Sequence, residues 1–310
     1  MRKFATNLLA AGAVLVGAWS AGSAPADAAD LGAVDEPIKL AILEWTGAHV
    51  TTHIAGHILQ KMGYKVEYVT ASNYGSATAV ADGSIAASLE QWDNNLGEFY
   101  PKLIAEGKIE DIGDVGLAGR EGWLYPVHMK EKCPGLPAWD AFKSCAQAFA
   151  APETFPNGRL LSYPADWGTR SADLIAGEGL PYTAIPSGSE GAMVAELTSA
   201  AEAKTPLVMM FWAPHWSLAK VETEWLDMPR EVQEAHSLVP PRIFKAAWPG
   251  MADKWPAAYE FLKNFQISNA VQEPIMGAVD NDGQDVVKVT GEWVENNESV
   301  WKPMVDKATM

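Results

Sequence analysis

Cysteine is scarce, with two in 310 residues, and so is positive charge, with 23 Lys and Arg against 39 Asp and Glu. Two thiols alone make a poor metal site. The acidic balance, formally −16, repels nucleic acid and anionic lipid and suits a cationic or net-neutral small ligand better. Long apolar runs are missing beyond residue 28, where nothing reaches the roughly 18 continuous apolar residues of a membrane span. Also absent are G-x-S-x-G, H-E-x-x-H, a phosphate-cradling loop and G-x-G-x-x-G, so no enzyme and no cofactor is expected.

What is present begins with a leader. Arg2 and Lys3 are followed by an apolar stretch, Leu8 to Trp19, and by Ala26-Asp27-Ala28, which reads as a signal peptide cut after Ala28. A soluble monomer exported to a Gram-negative periplasm is the expectation. Cys133 and Cys145, twelve apart in such a chain, are most simply a disulfide closing a short loop.

The mature chain alternates strand and helix. "IKLAIL", "YKVEYVT" and "IAASLE" read as strands, with helices predicted over 47–63, in "SATAVADG" and in "NLGEFYPKLIAEG". A second series runs through "GWLYPVHM", "GRLLSYP", "YTAIP" and "PLVMMFW", with helices in "ADWGTRSADLIAGEG" and "SGSEGAMVAELTSAAEAK". The latter is read as opened by a capping box of Ser187 and Glu190. From about 229 the pattern is mostly helical. The predicted fold is α/β, two lobes of mixed sheet flanked by helices. Lobe 1 takes 34–121 and 228–304, lobe 2 takes 122–227, and a cleft lies between.

Thirteen tryptophans are spread along the chain, and most are expected in the core. Four follow strand ends: Trp45 after "IKLAIL", Trp92 after "IAASLE", Trp167 after "LLSYPAD" and Trp212 ending "PLVMMF". Ligands in open α/β sheets sit beyond the carboxyl ends of strands, so a core role must explain a fourfold coincidence. Indole faces attract a cation that cannot donate hydrogen bonds, and cages of them recognise quaternary ammonium.

"EWTGAHV", "LEQWDNN", "ADWGTRSAD" and "FWAPHW", with "FLKNFQISNAVQEPIMGAV" and "GEWVENNESVW", resemble the substrate-binding proteins of ATP-driven importers for glycine betaine, proline betaine and choline. "GREGWLYPVHMKEKCPG" makes the chain most similar to members that bind trimethylamine N-oxide (TMAO). The resemblance implies a type II, flytrap-like binding protein that serves a membrane permease and closes on a methylated amine. It places Trp45, Trp92, Trp167 and Trp212 around the methyl groups, with Trp123 a fifth candidate or a hinge-strand packing residue. Gly168 and Thr169, at a helix start, would offer N–H groups to the ligand oxygen. His49 matches a carboxylate-contacting histidine of some betaine binders, the alternative being an ordinary helix histidine. Glu131, beside the Cys133–Cys145 loop, would attract the cation and repel a betaine carboxylate, unless it is merely a surface glutamate.

One rival reading is a zinc-binding protein using His49, His53 and His57, which fall at i, i+4 and i+8 of one helix. "DNDGQD" (280–285) does not fit the calcium loop.

Overall fold

The computed structural model describes Met1 and residues 30–310; the expected leader lies outside the described residues. Two sheets organise the chain. The first is laid down by β1 (Ile38–Ile42), α1 (Thr46–Lys61), β2 (Val66–Thr70), α2 (Asn73–Ala81), β3 (Ala87–Trp92), α3 (Phe99–Ala105) and β4 (Glu110–Asp114). The chain then crosses to a second sheet and builds β5 (Arg120–Pro126), α4 (Met129–Lys132), α5 (Trp139–Ser144), β6 (Gly158–Ser162), α6 (Arg170–Gly177), β7 (Tyr182–Pro186), α7 (Glu190–Ala203), β8 (Met209–Ala213) and β9 (Thr223–Trp225). It returns through α8 (Arg230–Ala235) to β10 (Ile243–Ala247), then ends in α9 (Met251–Lys254), α10 (Pro256–Asn264), α11 (Asn269–Asp280), α12 (Val286–Asn296) and α13 (Glu298–Ala308).

The strand orders are β2-β1-β3-β10-β4 and β7-β6-β8-β5-β9. In each sheet the strand that arrives from the other lobe, β10 or β5, runs antiparallel to its neighbours, so both sheets are mixed. All six residues of β3 and all five of β10 are buried, as strands covered by helices on both faces must be. The parallel strands β1, β3, β6 and β8 aim their carboxyl ends at the gap between the lobes, which is where the tryptophans named above stand.

The tail from 229 is mostly helical, as read, but it includes one strand the pattern did not show: β10 lies between β3 and β4 in the first sheet. Lys245 hid it. Its side chain, fully buried, donates from Nζ to the carbonyls of Lys263 and Phe265 and breaks the apolar run that would have signalled a strand. The acidic edge strand β4, "EDIGD", gave no apolar signal either. The cap of α7 is Ser189, whose side chain accepts from the Ala192 N–H at 3.2 Å, and not Ser187. Glu190 is then the first helical residue, free to reach elsewhere.

Cys133 and Cys145 are disulfide-bonded, tying α4 to the end of α5. Among the described residues no helix is long and apolar enough to cross a membrane.

Candidate functional site

Between the lobes lies a small, partly open cavity lined by Trp45, Trp92, Asn95, Glu121, Tyr163, Trp167 and Trp212. Trp45 and Trp92 come from the ends of the first sheet, Trp167 and Trp212 from those of the second. Trp45 and Trp167 have ring centroids 5.7 Å apart at 74°, and Trp167 and Trp212 5.6 Å apart at 64°. Tyr163 meets Trp212 at 5.6 Å and 71°. Such steep angles are those of adjacent walls of a box, whereas parallel stacking would cover the ring faces.

Three of the four indoles are held through their N–H groups. Glu90 accepts the Trp45 indole N–H at 2.7 Å and, at 3.4 Å, that of Trp92. Its other oxygen accepts from Thr51 Oγ1 and Gln272 Nε2, both at 2.7 Å. Burial pushes the Glu90 carboxyl above its ordinary range, against the pull of these four donors. Trp167 donates across the gap to Glu44 at 2.7 Å. Burial also raises the Glu44 carboxyl, with Asp166 adding to it.

The polar side of the cavity is a network around Glu121. This carboxylate accepts two hydrogen bonds from Arg170 (2.7 and 2.8 Å), one from Tyr163 (2.9 Å) and one from Asn94. Arg170 also donates to Asn95 Oδ1 at 3.1 Å. Burial opposes the Arg170 charge, but Glu121 outweighs it and holds the guanidinium above its usual range. Burial and the Glu121 charge together push the Tyr163 phenol well up. The Nδ2 of Asn95 has no partner among the described residues, which leaves a donor on the cavity wall.

The lobes are closed on each other by further bonds outside the cavity. Glu190 of α7 accepts from the Thr46 backbone N–H at 2.8 Å and from its hydroxyl at 3.1 Å. Thr46 opens α1, so its N–H has no partner within that helix and is capped from the other lobe. Asp280, at the end of α11, accepts from Thr46 Oγ1 at 2.7 Å and from Trp216 Nε1 at 2.9 Å. Burial, then the neighbouring Glu190 charge, raises the Asp280 carboxyl.

His215 stands behind Trp212, ring centroids 5.0 Å apart. The Ser217 N–H donates to its Nδ1 at 3.2 Å, so the proton sits on Nε2 and is donated to Glu190 at 3.1 Å. "FWAPHW" thus supplies one cavity wall, one brace and one bond to the other lobe.

Five expected site residues do not line the cavity. Glu131 is exposed on α4, as are its neighbours Lys130 and Lys132, and is not among the residues lining the cavity. Trp123 is in the lobe 2 core, against Trp139 and Phe142, with its N–H given to Ser171 Oγ at 3.1 Å. Gly168, at φ 115°, and Thr169 are exposed just beyond Trp167; the Thr169 hydroxyl donates to the Asp173 carboxylate at 2.7 Å. His49 is half-buried on α1, near His53, and burial lowers its pKa.

The histidine row does not converge as a zinc site. His53 faces Tyr68 at 4.2 Å, and His57 bonds the Val287 carbonyl. Among the described residues the one grouping with metal-ligand spacing is Glu190, His215 and Asp280. Sequence reasoning missed Glu90, Asn95, Glu121, Tyr163 and Arg170. The acids could have been noticed as charges inside strands that otherwise read as buried.

Residues 36–296 match the family described as the substrate binding domain of an ABC-type glycine betaine transport system. The chain is 28% identical over 287 residues to the trimethylamine N-oxide-binding protein of Pelagibacter ubique, covering 86% of this chain and 90% of that one. In fold it is similar to the glycine betaine/L-proline-binding protein ProX of Borrelia burgdorferi, with TM-score 0.75, 21% identity and coverage of 89% and 97%. It is likewise similar to an ABC-transporter choline-binding protein in complex with choline, with TM-score 0.74, 20% identity and coverage of 87% and 91%. These proteins share the two-lobed arrangement of mixed sheets and are binding components of transporters, not enzymes. The chain belongs to the family of substrate-binding domains of ABC-type glycine betaine transport systems.

Proposed function

We propose that this chain captures a small methylated ammonium compound in the periplasm, with TMAO favoured over glycine betaine and choline, and delivers it to a membrane permease. The observation that carries the reading is four indoles, two from each lobe, lining one cavity. Ring faces attract the positive methyl groups, each contact contributing on the order of 0.5 to 2 kcal/mol once desolvated. Asn95 Nδ2 is the donor for the guest's oxygen. Glu121 is already paired with Arg170, so it orients the polar wall without adding net charge. Lobe 1 comprises 34–121 and 228–304 and lobe 2 comprises 122–227; closure between them excludes water from the guest.

TMAO suits this site because its oxygen lies one bond from the nitrogen, within reach of a donor on a compact wall. The longer arm of betaine or choline needs more room. Calorimetry with TMAO, glycine betaine, choline and zinc tests the reading. TMAO should bind tightest and zinc should give no saturable heat. Asn95→Ala should weaken TMAO more than tetramethylammonium, which has no oxygen. Failure of all three methylated compounds to bind would remove the proposal.

A further inference from the structure

Glu90 is 2% exposed, and all four groups that donate to it are neutral: the indoles of Trp45 and Trp92, the Thr51 hydroxyl and the Gln272 amide. Three of those donors can only donate, and their hydrogen bonds suit a carboxylate better than a carboxylic acid. A buried carboxylate with no cationic partner carries a large desolvation cost. The other acids bonded to cavity walls differ. Glu121 is paired with Arg170, and Glu44 is solvent-exposed, where water screens it. α1 packs closely on this carboxylate: a Cβ on Gly47 would lie 3.3 Å from its Oε1 and 3.2 Å from Gln272 Nε2, a tight contact.

We propose that Glu90 is the counter-ion of the bound ammonium, a positioning residue that never touches the guest. It holds the Trp45 and Trp92 rings by their N–H groups and sets the site's preference for a positive guest over a neutral one of the same shape. The negative charge at the ring edge reinforces the potential of the ring faces, and in a dry site it acts on the guest over several ångströms. This rests on the box reading above.

The test compares each methylated ammonium with the analogue in which carbon replaces the nitrogen: tert-butanol for TMAO, dimethylbutanoate for betaine and dimethylbutanol for choline. Dissociation constants are read from tryptophan fluorescence. The wild-type protein should prefer the ammonium by about tenfold or more, and Glu90→Gln should shrink that ratio about tenfold, chiefly through weaker ammonium binding. An equal loss for both guests would mean that Glu90 only supports the walls, and would overturn the proposal. If none of the ammonium compounds binds the wild-type protein, the box reading and this inference fall together.

Should Glu90→Gln not fold, the wild-type ratio is followed from about pH 8 to about pH 5. Protonation of Glu90 removes its charge, so the preference falls as pH drops through the Glu90 pKa, which burial holds above the ordinary carboxylate range; a wild-type ratio of about one at about pH 8 overturns the proposal. Closure affects both guests alike and cancels in the ratio. The residues touching Glu90 from α1 (Trp45, Gly47, Thr51), from β3 (Trp92) and from α11 (Gln272) do not titrate in this range. The remaining ionisable groups bonded to or packed against cavity walls are Glu121 with Arg170, Glu44, and His215 behind Trp212, for which Glu44→Gln and His215→Gln are the controls.

Discussion

Trp92 and Trp212 are nearly buried, at 4% exposure each, yet both line the cavity. That combination separates them from Trp123, which is 1% exposed but spends its N–H and its faces on the core of lobe 2. Changing Trp92 or Trp212 to Ala should therefore weaken ligand binding by about tenfold or more, measured by calorimetry. Trp123→Ala should act on stability instead, by about 3 to 5 kcal/mol, as truncation of a buried aromatic does. Glu131→Ala should leave the dissociation constant within about twofold, since the side chain is exposed and away from the cavity. The four tryptophans were legible because position and chemistry coincided: each follows a strand end, and strand ends are where such sheets bind. Glu131 was drawn in by its place beside the disulfide loop and His49 by the family resemblance, and neither says which way a side chain faces. Glu90 and Glu121 were passed over because an acid in a strand reads as its solvent side; their long-range partners Gln272 and Arg170 show them buried.

Most elements were legible from hydrophobic periodicity, and the strands it missed carry polar side chains: Lys245 inside buried β10 and the acids along the edge strand β4. β10 is the clearest case, because its Lys245 satisfies the carbonyls that end α10. Burial lowers the Lys245 pKa to about 8 from 10.5. The folded protein thus binds fewer protons than the unfolded chain between these values, and stability from this group rises as pH increases through that window. The stability of Lys245→Met relative to wild type should accordingly fall by on the order of 2 to 3 kcal/mol between about pH 8 and about pH 10.5, followed by denaturant unfolding at each pH. The start of α7 gives a second check at this scale. Ser189→Ala removes the cap and should cost about 1 kcal/mol, while Ser187→Ala should leave stability within about 0.5 kcal/mol. The reverse order of effects would restore the capping box first read from the sequence.

At the scale of the molecule, the lobes meet through bonds that each join a donor at one strand or helix end to an acid on the opposite side: Trp167 to Glu44, Thr46 to Glu190, and Trp216 to Asp280. The first of these belongs to a cavity wall, so its loss would disturb the guest and the closure together. Trp216 is different, since it does not line the cavity, and it meets the other lobe by packing against α11 and through its indole N–H. Trp216→Phe keeps the aromatic packing against His215 while removing the bond to Asp280, which leaves that carboxylate with one donor fewer. A bond that exists only in the closed form slows opening but has no part in the first encounter with ligand. Stopped-flow fluorescence should therefore show dissociation from Trp216→Phe faster by several-fold, in keeping with a hydrogen bond to a charged group of about 1.5 kcal/mol or more, and association within about twofold of wild type. Unchanged dissociation would mean that the guest and the cavity walls alone hold the lobes together, and a slower association would place Trp216 in the encounter itself.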